Sequence, residues 1–381
     1  MSEPMDGYEY LKMLKEQGDK EPPRFGEFSV FLERKARKEG VPINGQFELT
    51  PLCNLSCKMC YVHLTKSQLQ GQSLLTAEQW KDLMHQAFTA GMFQATLTGG
   101  ECLTYPGFEE VYLYLHSLGC QVDILTNGVL LDEERIRFFK AHPPAFLQIT
   151  LYGADEDSYE RVTGQRVYRR VIENIQRVRE AGFPFSISIT PNRFLGEGIF
   201  DTIRKAKELS GNLFINTSLF VPAQEPWRMQ KSDDLDVETY VRILRFRQEL
   251  DGIVNPEIPE SELPAPGGSH RECDECGLYC GGGRSGFVIN WKGEMCICNR
   301  MEARSYPLRD GFSEAWRRIH EIADSWPRVP ECQDCAYEEV CDKCVARFLE
   351  HAEAGKQPKA ICEQTRYKVS HGILPLPQCE T

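Results

Sequence analysis

The chain has 381 residues, 26% charged and 41% hydrophobic, an ordinary globular composition with room for two or three domains. Its net charge of −12 excludes a general basic field, and with it a nucleic-acid or anionic-membrane partner. No apolar run nears the roughly 20 residues a membrane span needs, and residues 1–20 are too polar and mixed in charge for an export signal. Sixteen tightly clustered cysteines in such a chain point to metal ligation in a reducing cytoplasm rather than to disulfides.

Residues 1–44 carry helical patterns around 8–15 and 28–38 and read as an N-terminal extension over the bottom or side of the next unit. From residue 46 strand and helix patterns alternate. Strands are predicted over 47–50, 94–98, 121–126, 146–151, 185–190 and 213–220. Helices are predicted over 76–91, 108–118, 132–141, 169–181 and 199–209. Thr76 opens the first of these with Glu78 and Gln79 in its first turn, and Gly182 stops the fourth. Six β/α units argue for an α/β fold with a parallel sheet and right-handed crossovers, short of the eight units of a closed TIM barrel. In such folds the chemistry sits at the carboxyl ends of the strands.

Those ends carry the distinctive residues. After the first strand and Pro51 come Cys53, Cys57 and Cys60, spaced C-x3-C-x2-C on one loop. Thiolates are soft ligands that suit iron–sulfur clusters, zinc or copper. A [4Fe–4S] cluster normally takes four cysteines, so three would leave one iron open; a zinc knuckle or three unconnected thiols are the alternatives. The second strand ends in Thr98-Gly99-Gly100-Glu101-Cys102, where the glycines permit a sharp turn and Glu101 is expected to face the rim. The third ends in Thr126-Asn127-Gly128, and the fourth in Thr150-Leu151-Tyr152-Gly153-Ala154, followed by Tyr159 to Gly164. On the fifth, Ser186, Ser188 and Thr190 alternate with Phe185, Ile187 and Ile189 and so share a face.

Residues 233–251 read as an amphipathic helix, and 253–270 as a linker rich in proline and glycine. Beyond it stand Cys273, Cys276, Cys280, Cys296, Cys298, Cys332, Cys335, Cys341, Cys344, Cys362 and Cys379, with a β-hairpin around 286–294. Cys332, Cys335, Cys341 and Cys344, spaced C-x2-C-x5-C-x2-C, read as a metal site. Zinc is the simpler reading; an all-thiolate set without a suitably spaced histidine favours iron–sulfur.

The three-cysteine loop, the Gly-Gly-Glu turn and the Thr150 to Gly164 stretch together resemble the radical S-adenosylmethionine (radical SAM) superfamily. The resemblance implies a partial (β/α)6 TIM-like barrel over 45–222. It implies a [4Fe–4S] cluster on Cys53, Cys57 and Cys60 whose open iron binds SAM, and cleavage of SAM to a 5′-deoxyadenosyl radical. It implies SAM contacts from Met59, Gly99, Gly100, Glu101, Asn127, Thr150 and Ser188. Cys102 departs from the proline usual after the motif, which leaves that turn less fixed. No catalytic residue beyond the cluster is assigned.

The tail resembles the SPASM domain, a cysteine-rich α+β unit for auxiliary clusters, here 271–381 after a 223–270 helix and linker. Cys280, Gly293, Cys298, Cys332, Cys335, Cys341, Cys344 and Cys362 match its pattern in order, with one residue fewer than usual between Cys341 and Cys344. By the family's ligation Cys332, Cys335, Cys341 and Cys362 would hold one auxiliary [4Fe–4S] cluster. Cys280, Cys298 and Cys344 would hold the other, with Cys276 preferred over Cys273 as fourth ligand. Cys296 and Cys379 are spare.

The resemblance implies oxidative modification of a peptide, as in ribosomal peptide maturation with thioether or carbon–carbon cross-links. One alternative is sulfatase-maturase-like formylglycine formation on a protein. Asn299 counts against it, because that enzyme type carries an aspartate base after the equivalent of Cys298 and an amide accepts no proton at neutral pH. A small-molecule substrate and a non-catalytic metal scaffold are further alternatives. Expected partners are a peptide or protein substrate and an electron donor such as flavodoxin or ferredoxin. Substrate recognition falls to a separate protein or to 233–270. The expected location is cytoplasmic.

Overall fold

The computed structural model describes residues 25–60, 62–69, 71–215, 235–253, 255–263, 277–278, 280–301, 304–333, 335–338, 340–341, 343–351 and 353–375. Helix α1 (Phe25–Glu39) leads into β1 (Asn44–Glu48), α2 (Ala77–Thr89), β2 (Gln94–Thr98), α3 (Phe108–Ser117) and β3 (Gln121–Thr126). Then follow α4 (Glu133–Ala141), β4 (Phe146–Thr150), α5 (Glu156–Thr163), α6 (Tyr168–Ala181), β5 (Phe185–Ile189), α7 (Gly198–Leu209) and β6 (Leu213–Ile215). The remaining elements are α8 (Val237–Leu250), β7 (Gly286–Ile289), β8 (Glu294–Cys296), β9 (Tyr306–Pro307), α9 (Phe312–Asp324), α10 (Pro330–Gln333), α11 (Val345–His351) and α12 (Lys359–Ser370).

Local chemistry sets the element ends. Gln79 N–H donates to the Thr76 hydroxyl (3.3 Å), and Thr76 N–H donates to the Gln79 side chain (2.9 Å), closing a capping box on α2. The sequence reading missed α5, whose signals are a capping box from Asp155 to Ser158 and a stop at Gly164. At eight residues it is too short for periodicity to reveal.

The six strands β1 to β6 run parallel in chain order, the expected α/β arrangement, with β6 at one edge. Along β4, Leu147 and Ile149 are fully buried while Gln148 and Thr150 turn to the other face. That alternation gives the sheet an apolar side and a polar, cavity-lining side. The apolar side packs Phe47 edge-on to Trp80 at 6.1 Å between ring centroids.

The sheet does not end at β1. Strand β7 pairs parallel to it, with Asn44 opposite Gly286 and Phe47 opposite Ile289, and β8 and β9 continue antiparallel. The tail hairpin therefore belongs to the same nine-stranded sheet as the core. Phe287 stacks edge-on to Phe47 at 5.9 Å and to Phe312 at 5.0 Å, so the apolar core runs on beneath α9. The predicted helix at 8–15 and the last residues of the predicted sixth strand lie outside the described residues. No helix among the described residues is long and apolar enough to cross a membrane.

Candidate active site

The cysteine loop follows β1 and is tied down on both sides. Gly100 N–H donates to Thr50 O (2.7 Å) and Glu101 N–H to Leu52 O (3.0 Å), joining it to the turn after β2. Ser56 N–H donates to Thr163 O (2.9 Å) and Lys58 N–H to Val162 O (3.0 Å), joining it to the end of α5. This contact requires glycine. A Cβ on Gly99, whose φ is +138°, would lie 2.3 Å from Thr50 O, and one on Gly100 would lie 2.4 Å from Leu52 O.

The loop turns its thiols into one environment. Cys53 Sγ accepts from Leu55 N–H (3.4 Å) and from Asn127 Nδ2 (3.6 Å), and Cys60 Sγ accepts from His63 N–H (3.2 Å). Burial, with Glu101 and Cys60 nearby, pushes the Cys53 thiol up to about 12. Burial and the two neighbouring thiols also push the Cys57 thiol well up. Grouped thiols that resist ionisation on their own become thiolates when a metal supplies positive charge. Among the described residues no three His, Cys, Asp or Glu groups close on a single ion. A four-iron cluster spaces its thiolates further apart than one ion does, so a donor set of three thiols opening on a cavity fits that group.

The cavity at the carboxyl ends of the strands has a volume of about 340 Å³. Cys53, Cys57 and Cys60 line it, as do Met59, Gly99, Gly100, Asn127, Thr150 and Ser188. Ser186 is buried lower on β5 and does not line it, whereas Thr190 does.

Glu101 differs from expectation. Its carboxylate is buried behind the rim, not facing it. Oε2 accepts from Asn127 N–H (2.8 Å), and Oε1 accepts from Thr126 Oγ1 (2.9 Å) and Leu103 N–H (3.1 Å). Burial raises its pKa above 4.5 despite these bonds. The geometry makes Glu101 a clamp between the ends of β2 and β3. The turn after it is also better fixed than expected without proline, because the buried Cys102 thiol donates to Leu125 O at 3.5 Å.

The sequence reading did not place His63, Gln148, Tyr152 or Arg300 in the cavity, yet all line it. Gln148 could have been found, since it lies two residues before Thr150 on the same strand face. Asn299 and Arg300 line it from the loop after Cys298, far along the chain. Among the described residues the lining holds no carboxylate, and Arg300 supplies its guanidinium.

The tail thiols form two further groups. Cys332, Cys335, Cys341 and Cys362 line a second cavity of about 170 Å³, and Thr365 Oγ1 donates to Cys341 Sγ at 3.5 Å. Burial, with the other three thiols around it, pushes Cys332 up to about 12. Cys280, Cys298 and Cys344 lie together: burial with Cys280 and Cys344 close by pushes Cys298 up to about 11. Arg300 Nη1 donates to Cys344 Sγ at 3.9 Å. Cys273, Cys276 and Cys379 lie outside the described residues, so the expected fourth ligand does too. Cys296 is buried in β8.

Comparison with known proteins agrees with this geometry. Residues 47–216 match the family described as the Radical SAM superfamily. The AdoMet-dependent heme synthase of Methanosarcina barkeri is 26% identical over 321 residues, covering 79% of this chain and 90% of that protein. A PqqA peptide cyclase of Bradyrhizobium diazoefficiens is 27% identical over 319 residues, covering 79% of this chain and 80% of that protein. The fold is also that of Streptococcus suis SuiB, solved bound to its precursor peptide SuiA. That structure has a TM-score of 0.62 and 14% identity, covering 93% of this chain and 88% of the other. Residues 47–216 thus carry a Radical SAM domain, and a cysteine-rich C-terminal region follows it.

Proposed function

We propose that the chain oxidatively modifies a peptide, closing a thioether or carbon–carbon cross-link in the maturation of a ribosomal peptide. The composition of the cavity wall carries this reading. One side is the cysteine loop after β1; another is Asn299 and Arg300, from the loop after Cys298. Arg300 also reaches the Cys344 thiol. A substrate held in the cavity would lie between two thiol groups. A [4Fe–4S] cluster and SAM, when bound, supply a 5′-deoxyadenosyl radical. The protein's part is to hold the reacting C–H bond in place and keep water out. Closing a cross-link removes electrons from the substrate, and the nearness of Cys280, Cys298 and Cys344 favours that class over redox-neutral chemistry.

In this reading Cys53, Cys57 and Cys60 ligate the SAM-binding cluster. Cys332, Cys335, Cys341 and Cys362 ligate one auxiliary cluster; Cys280, Cys298 and Cys344, with Cys276, ligate the other. The core spans 45–222 and the auxiliary unit 271–381. A flavodoxin or ferredoxin delivers electrons, and a separate protein or 233–270 recognises the peptide.

A peptide cyclase and a peptide-bound enzyme among the similar proteins support this reading. The heme synthase relative, matched over most of its length, supports a small-molecule substrate as the second reading. Formylglycine formation is disfavoured because Asn299 lines the cavity where that chemistry would need a carboxylate base. The test is incubation of reconstituted enzyme, SAM and dithionite with the cysteine-rich precursor peptide encoded nearest its gene. The expected product is lighter by the hydrogens removed. An unchanged peptide beside turnover of a tetrapyrrole would overturn the reading.

A further inference from the structure

We propose that Asn127 raises the reduction potential of the cluster held by Cys53, Cys57 and Cys60, through its side-chain hydrogen bond to the Cys53 sulfur. The inference rests on the ligand assignment above. Donors to the three sulfurs are of two kinds. The N–H groups of Leu55 and His63 are backbone, and a change of side chain leaves them in place. The Asn127 amide is a side-chain donor, at Cys53, and can be removed by substitution.

The Asn127 amide is held with its nitrogen toward the sulfur. Its Oδ1 accepts from Val129 N–H at 3.0 Å, so Nδ2 must face the other way. There it donates to Asn54 Oδ1 at 2.7 Å and to Cys53 Sγ at 3.6 Å. Its backbone is fixed in turn by the buried Glu101 carboxylate, at 2.8 Å from Asn127 N–H.

The physical effect has a definite sign. A donor to a thiolate stabilises negative charge, and the reduced cluster carries one more electron than the oxidised one. Hydrogen bonds to sulfur therefore raise the potential, and removing them lowers it. At a fixed solution potential we expect loss of the Asn127 bond to cut the reduced-to-oxidised ratio about tenfold, a shift of about 59 mV for one electron.

The experiment is a dithionite-poised redox titration of the reconstituted full chain, followed by electron paramagnetic resonance. The cluster of interest is the one whose signal SAM alters. Asn127→Ala removes the amide; Asn127→Ser keeps an oxygen that can accept from Val129 N–H but is too short to donate to Cys53. The expected result is a more negative midpoint for both variants, with iron content unchanged. If Asn127→Ala sheds iron through loss of the turn, Asn127→Ser decides. A midpoint for Asn127→Ser equal to wild type overturns the tuning role while leaving the ligand assignment intact. Absence of any SAM-altered signal in the wild type overturns the assignment and the tuning role together.

Discussion

Replacing Glu101 tests whether it is a buried clamp or a cavity-facing ligand. Its two carboxylate oxygens accept from the backbone N–H groups of Leu103 and Asn127 and from the Thr126 hydroxyl, all beneath the rim. Glu101→Ala leaves two buried amides without an acceptor. At about 1–3 kcal/mol each the loss is about 2–6 kcal/mol. Glu101→Gln keeps one oxygen acceptor but sets an NH2 group against the other amide, so about 1–3 kcal/mol is expected. Burial raises the Glu101 pKa above 4.5. Between 4.5 and that raised value the folded state holds a proton the unfolded state has released, so wild-type stability falls as pH rises. Both deficits are thus largest at the acid end of this window and narrow above it. The assay is urea unfolding followed by tryptophan fluorescence. With a slope of about 3 kcal/mol per M, Glu101→Ala should lower the midpoint by roughly 0.7–2 M. A solvated, cavity-facing glutamate would move stability by no more than about 0.5 kcal/mol in either variant. That result would refute the clamp.

Gly100→Ala should give folded protein that loses iron and forms little 5′-deoxyadenosine, because the new Cβ at 2.4 Å from Leu52 O pushes the cysteine loop away; iron equal to wild type would contradict this. Asp155→Ala should weaken α5 by about 1 kcal/mol, through loss of its N-cap, and loosen the Ser56 and Lys58 contacts. Ser158 N–H and its hydroxyl hold the Asp155 carboxyl below 3.8, so this contribution is present above 3.8 and lost as pH falls through the lowered value. Equal urea midpoints for wild type and variant at pH 7 would show that Asp155 does not cap α5. Cys335→Ala should lose auxiliary iron and product while retaining some SAM cleavage; full iron content would remove Cys335 from the ligands.

The core of this fold could be read from local pattern. Strands β2 and β3 lie where alternation and flanking turns put them, and capping residues marked α2 and the end of α6. Pairing of β7 with β1 could not be read, because nothing in either segment names a partner so distant in the chain. The same limit hid Arg300, which reaches the cavity from the tail loop, and left Tyr152 as part of a motif rather than part of the cavity wall. The Gly-Gly-Glu turn was legible as a motif, but only the tertiary contacts distinguish its parts. The glycines are there for close approach to the cysteine loop, and the glutamate faces inward to hold Asn127.

Iron and sulfide per chain after anaerobic reconstitution, with 5′-deoxyadenosine assayed once SAM and dithionite are added, bears most directly on the proposed arrangement of three thiol groups. The account predicts three four-iron clusters, about twelve irons per chain, and 5′-deoxyadenosine. Four irons with zinc in the tail would contradict it, leaving the barrel chemistry in place but removing the basis for oxidative cross-linking.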